Sequence, residues 1–144
     1  MKPNFPIIII YNDALDLIPA EENLYQASLL GVLNGNSNSK AYDNEGNIWE
    51  LKLISEKVKD NFFTRLLANT VYNPKINVTP EWKLLEKYKL VELKSFIKKL
   101  IENDNDFYTQ FVDEKILNEH IENAKSLKEV YEILLKNVFE FEAE

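Results

Sequence analysis

"AYDNEGNIWELKL", residues 41–53, sets two β-prone runs on either side of a short polar loop that holds one glycine, Gly46. Trp49, Leu51 and Leu53 alternate with Glu50 and Lys52, a period of two that gathers the apolar residues on one face of a strand. Asn44 to Asn47 supplies turn formers, and glycine takes a positive φ without steric cost. The stretch reads as a hairpin from Ala41–Tyr42 to Ile48–Leu53, which makes its sheet antiparallel. A calcium-loop reading of Asp43, Asn44, Glu45 and Asn47 fails on spacing. Counted from Asp43, the sixth and twelfth positions hold Ile48 and Ile54, where glycine and a carboxylate are required. A loop that only reverses the chain predicts that Asp43→Asn with Glu45→Gln leaves stability nearly unchanged.

Upstream, Ile7 to Tyr11 is a continuous run bounded by Pro6 and by Asn12-Asp13, which reads as a strand buried on both faces and central in the sheet. Leu15–Ile18 reads as a short edge strand. Pro19 suits the first turn of a helix over Ala20–Ser28, with Glu21 and Glu22 near its positive end and Leu24, Ala27 and Ser28 inward. Leu29–Leu33 reads as another apolar strand, ended by the polar cluster Asn34–Ser39. Asn61–Asn69 reads as a short helix and Thr70–Val78 as an edge strand, since Pro74 is costly in a central one.

From Pro80 onward the chain reads as helical, beginning with a turn from Pro80 to Tyr88. Val91–Glu102 places Leu93, Phe96, Ile97, Leu100 and Ile101 on one stripe, and Asn103–Asp106 stops it. Val112–Asn123 gathers Val112, Ile116, Leu117 and Ile121 on one face. Ser126 and Glu129 have capping-box spacing before Leu127, Val130, Tyr131, Leu134, Leu135 and Val138. The expected class is α+β: a small N-terminal, mainly antiparallel sheet of about four strands with C-terminal helices packed on it. Residues 1–144 are expected to form one domain, because 45% hydrophobic content over 144 residues suffices for a core.

Cysteine is absent, so disulfides and thiolate chemistry are too. The run Ile7–Ile10 is too short for a signal sequence, and no stretch approaches the roughly 20 apolar residues of a membrane-spanning helix, so a cytoplasmic protein is expected. The net charge of −7 is uneven: −4 over residues 1–54, +5 over 55–101 and −8 over 102–144. An acidic surface repels phosphate backbones and disfavours nucleic acid as a partner. The basic stretch Lys83, Lys87, Lys89, Lys94, Lys98 and Lys99, diluted by Glu81, Glu86 and Glu92, reads as a solvated helix face.

No catalytic, cofactor or metal residues are assigned. His120 is the only histidine and reads as structural, at the edge of a helix's packed face. Glycines only at 31, 35 and 46 exclude both nucleotide-binding glycine loops. Glu102, Asp104 and Asp106 have calcium-like spacing, but their sixth position is Phe107. The remaining signal is the acidity of the C-terminal third. Asp104, Asp106, Asp113, Glu114, Glu119 and Glu122 are the expected partner-binding residues, with a lesser contribution from Asp13, Asp16, Glu21 and Glu22. Such a patch speeds association with a basic partner and rejects others.

The order of Ile7–Tyr11, "LDLIPAEENLYQAS", "LLGVLNG" and "AYDNEGNIWEL" resembles the opening of small bacterial immunity proteins that accompany secreted polymorphic or contact-dependent toxins. The resemblance covers about residues 6–53 and rests on this pattern and a YD-x-x-G-x-hydrophobic turn. It implies a cytoplasmic, non-catalytic α+β protein that occludes a cognate toxin's active site, a basic, nuclease-type toxin fitting the charge. It carries over no functional residues, because such families vary most at the partner surface. Two other classes stay open: an enzyme with a carboxylate-based site, which convergent Asp and Glu of raised pKa would favour, and a regulatory or structural adaptor.

Overall fold

Four consecutive isoleucines favour extended backbone, and their alternating side chains demand apolar surroundings on both sides of the strand they form. The computed structural model describes residues 1–11, 14–28, 39–54 and 75–139. In it Ile7–Tyr11 forms β1, and all four isoleucines are buried. β1 pairs antiparallel with edge strand β2 (Ala14–Ile18) on one side and with β4 (Lys40–Tyr42) on the other. β4 continues through the 43–46 loop into β5 (Asn47–Ile54), and β5 pairs along its length with β7 (Thr79–Lys87). The result is a five-stranded antiparallel sheet in the order β2-β1-β4-β5-β7.

Two expected helical segments are strands or turns. Pro80–Tyr88 is mostly β7, because each residue of β5 from Asn47 to Ile54 finds a partner on it, and the Trp82 ring beside Leu51 joins the packing on that sheet face. The helix expected over Ala20–Ser28 is a single 3₁₀ turn at Glu21–Leu24, followed by β3 (Gln26–Ser28). Leu24 is the residue the turn buries, too little apolar surface to hold a longer helix, and β3 pairs with β6 (Lys75–Asn77) as a two-stranded ribbon. Of the strand expected over Thr70–Val78, residues 75–78 are described, and Lys75–Asn77 form β6 while Val78 lies outside it. The expectations for Leu29–Leu33, Asn34–Ser39 (up to residue 38) and Asn61–Asn69 lie outside the described residues.

The C-terminal helices follow the sequence pattern more closely. α1 (Leu90–Asn103) buries Leu93, Ile97, Leu100 and Ile101, with Phe96 left largely exposed. A short α2 (Asn105–Tyr108) buries Tyr108, and α3 (Glu114–Asn123) buries Leu117 and Ile121. α4 (Leu127–Leu134) starts at Ser126, whose Oγ accepts from the Glu129 amide at 3.1 Å, and runs on as a π turn over Leu135–Phe139. Their buried residues meet Ile8, Ile10, Leu15, Tyr42 and Ile48 in the larger core. The other sheet face carries a second core of Ile7, Ile9, Ala41, Trp49 and Leu51 with Leu24, closed by Phe5, Ile18, Leu53 and Trp82.

Leu134 is fully buried in the larger core. Leu134→Ala is expected to lower unfolding free energy by about 2–5 kcal/mol, read as a shift in urea midpoint at unchanged slope.

Candidate functional site

The inward pull of Leu100 and Ile101 fixes how α1 ends, and with it where the following acids stand. Asp104 leaves helical geometry (φ −127°, ψ 54°). Its amide donates to the Leu100 carbonyl at 3.0 Å, and its own carbonyl accepts from Phe107 and Tyr108, so it closes α1 and opens α2. Asn105 Nδ2 then donates to Glu114 Oε2 at 2.8 Å, drawing the start of α2 against the start of α3. The first turns of α2 and α3, which carry Asp104, Asp106, Asp113 and Glu114 in or beside them, are thereby held together.

These acids do different work. Asp113 caps α3, its Oδ1 accepting from the Lys115 amide at 2.9 Å, and Glu114 sits in the same first turn, where negative charge is favoured. Glu122 pairs with Lys98, while its carbonyl accepts from Lys94 Nζ at 2.8 Å, so it braces α3 to α1. The hydrogen bond from Lys98 and that lysine's charge hold its carboxyl below the usual range. Glu102, Asp104, Asp106 and Glu119 are exposed and make no ion pair among the described residues. Between the acids lie exposed apolar side chains: Phe107, Phe111 and Ile116, the last two about half exposed. Phe107 packs edge-on against Tyr108 and Phe139, with ring centroids 5.0 and 5.6 Å away.

Asp16 on β2 shares this electrostatic neighbourhood. Burial pushes the Tyr108 hydroxyl up to about 12, and the charges of Asp104 and Asp16 add to the effect. Packing around the Asp16 carboxyl raises its own pKa as well. Glu21 stands elsewhere, on the sheet face opposite the helices, where it accepts from Trp82 Nε1 at 2.9 Å and lies 3.5 Å from Lys2 Nζ. It ties the 3₁₀ turn to β7. Glu22 is exposed on that turn, and Asp13 lies outside the described residues.

The lysines grouped in the sequence do not share one helix face. Lys83 and Lys87 are on β7, whereas Lys94 and Lys98 serve Glu122. His120 is exposed on α3. No group of three His, Cys, Asp or Glu able to hold a metal occurs among the described residues.

The opening hairpin hides a residue that sequence reasoning undervalued. Asp43 is 1% exposed. Its Oδ1 accepts from the amides of Glu45 and Asn47, both at 2.9 Å, and its Oδ2 from Trp49 Nε1 at 2.8 Å and from the Asn4 amide at 3.4 Å. The loop is structural, but the expectation that Asp43→Asn leaves stability unchanged is overturned, because an amide turns an N–H towards donors that need an acceptor. The signal was an aspartate opening a turn, with a tryptophan six residues on. No family model, no curated protein and no solved structure matches the chain.

Asp43→Asn is expected to reduce stability by about 1–3 kcal/mol, whereas Glu45→Gln stays within about 0.5 kcal/mol, as separate urea titrations would show. A second expectation concerns alkaline pH. Folded Tyr108 keeps its proton above pH 10, where an unfolded tyrosine releases it, so its contribution is complete below pH 10 and is lost as pH rises through about 12. Tyr108→Phe is expected to flatten the fall in urea midpoint between those limits.

Proposed function

We propose that this protein is a non-catalytic inhibitor of the immunity type, which binds a basic, nuclease-type toxin in the cytoplasm and occludes its active site. The observation that carries the reading is the junction of α2 with α3. Asp104, Asp106 and Glu119 are exposed and form no ion pair among the described residues, and Phe107, Phe111 and Ile116, which alternate with the acids along the chain, are exposed as well. Exposed charge beside large exposed apolar side chains suits a protein interface, in which an apolar centre supplies affinity and a charged rim steers encounter. Glu114 and Asp113 extend the rim, with Asp16 beside it. Glu122 and Glu21 contribute to internal contacts instead, so they are not the residues to reverse.

The test is co-purification with the product of the adjacent gene, followed by association kinetics at two ionic strengths for wild type and for Asp106→Lys with Glu119→Lys. Association is expected to slow by about tenfold at low salt and to lose much of its salt dependence, with a smaller change in dissociation. An on-rate indifferent to both salt and the reversal would remove this surface from the interface. A neighbouring product that does not bind would remove the immunity reading altogether.

A further inference from the structure

The edge of the sheet at β7 pairs, on its side away from β5, with no strand among the described residues. Leu84 and Leu85 are 43% and 41% exposed there, and Lys83, Glu86 and Lys87 are exposed with them. An open edge offers backbone N–H and C=O groups to another chain. Over Trp82-Lys83-Leu84-Leu85-Glu86-Lys87 the edge is also its own complement. Reversed about the Leu84–Leu85 bond, Lys83 opposes Glu86, Leu84 opposes Leu85 and Trp82 opposes Lys87, each twice.

Such a register requires opposed residues to lie on the same face, which a regular strand forbids here, because 83 and 86 differ by an odd number. A bulge removes the obstacle. Trp49 pairs with Leu84, but the preceding Ile48 pairs with Glu86, so Leu85 is an extra residue and the alternation of faces inverts across it. Lys83, opposite Glu50, and Glu86, opposite Ile48, therefore both stand on the helical face. Trp82, opposite Leu51, and Lys87, opposite Asn47, both stand on the other. Pro80 has no N–H to donate and limits pairing towards the start of the strand.

We infer that β7 pairs antiparallel with β7 of a second copy of this chain over residues 82–87, joining the two five-stranded sheets about a two-fold axis. The interface is isologous, with opposite charges and leucines facing across it.

Sedimentation equilibrium of the full chain, from micromolar to submillimolar concentration, tests this. Wild type is expected to dimerise. Lys83→Glu alone and Glu86→Lys alone each set like charges opposite one another at two places and are expected to weaken the dimer by about tenfold. Combining the two substitutions in one chain restores it. Mixing the two single variants in equal amounts restores it too, as a heterodimer tighter than either variant's own. Circular dichroism checks that each variant is folded. A wild type that is monomeric throughout overturns the inference, as does a dimer that neither single reversal weakens.

Discussion

A carboxylate removed from water is tolerated only where donors replace the lost hydration, and Asp43 is the described residue at which this structure meets that condition in full. Three backbone amides and an indole N–H reach its two oxygens. The amides come from the N-terminal segment, the loop and the first residue of β5, and the indole from further along β5, so one side chain fixes three pieces of chain at once. Its carbonyl extends the arrangement by accepting from the Tyr88 hydroxyl at 2.7 Å. Tyr88 stands between the end of β7 and the start of α1, and its amide donates to the Gly46 carbonyl at 2.9 Å. Gly46 has φ +86°, while the nearest atom to a β-carbon there would be 3.7 Å away. Glycine is therefore required by backbone conformation rather than by space.

With the hairpin set, β1 contributes most evenly to both cores, two isoleucines to each, while β4 and β5 also have a residue on either side. Ile8 and Ile10 face the helices, while Ile7 and Ile9 face the smaller core that Trp49, Leu51 and Leu24 complete. The helices cover the sheet only towards β2, β1 and the near end of β5. Past Ile48, the residues of β5 on that face are Glu50 and Lys52, and β7 beyond them is largely exposed.

Elements whose residues repeat a single period were legible from the sequence. β1, the hairpin, α1 and α4 depend on local alternation or on a stripe of buried side chains, and their buried residues are close to those expected. β7 was not legible, because Trp82, Leu85 and Tyr88 recur every three residues and mimic a helical stripe, whereas the ladder that makes the segment a strand is with β5, far away in sequence. The 3₁₀ turn was overextended for a related reason. Glu21 and Glu22 signal a helix start, but the continuation into β3 is decided by pairing with β6. At the candidate site, Asp113, Glu114 and Glu119 lie off the Leu117–Ile121 stripe of α3 as the periodicity implies, whereas Ile116, expected on that stripe, is 49% exposed. The Asn105–Glu114 contact that holds the first turns of α2 and α3 together, and the lysines that claim Glu122, depend on helix–helix packing, which no spacing encodes.

Like charges on one surface repel, so each retained carboxylate needs some offset. Asp113 and Glu114 find theirs at the start of α3, Glu122 in Lys98, and Glu21 in Lys2 and the Trp82 indole. Glu102, Asp104, Asp106 and Glu119 find no ion-pair partner among the described residues, and exposed Phe107, Phe111 and Ile116 lie between them in the chain. The charge acting jointly from Asp16 and Asp104 on Tyr108 puts this surface towards the β2 edge. β7 is the opposite edge, four strand spacings away in the order β2-β1-β4-β5-β7, or about 19 Å at the usual separation of strands. The acidic surface and the self-complementary edge thus lie at opposite ends of one sheet. Pairing through β7 would leave both acidic surfaces facing outward, so self-association and capture of a basic partner are compatible in the same molecule.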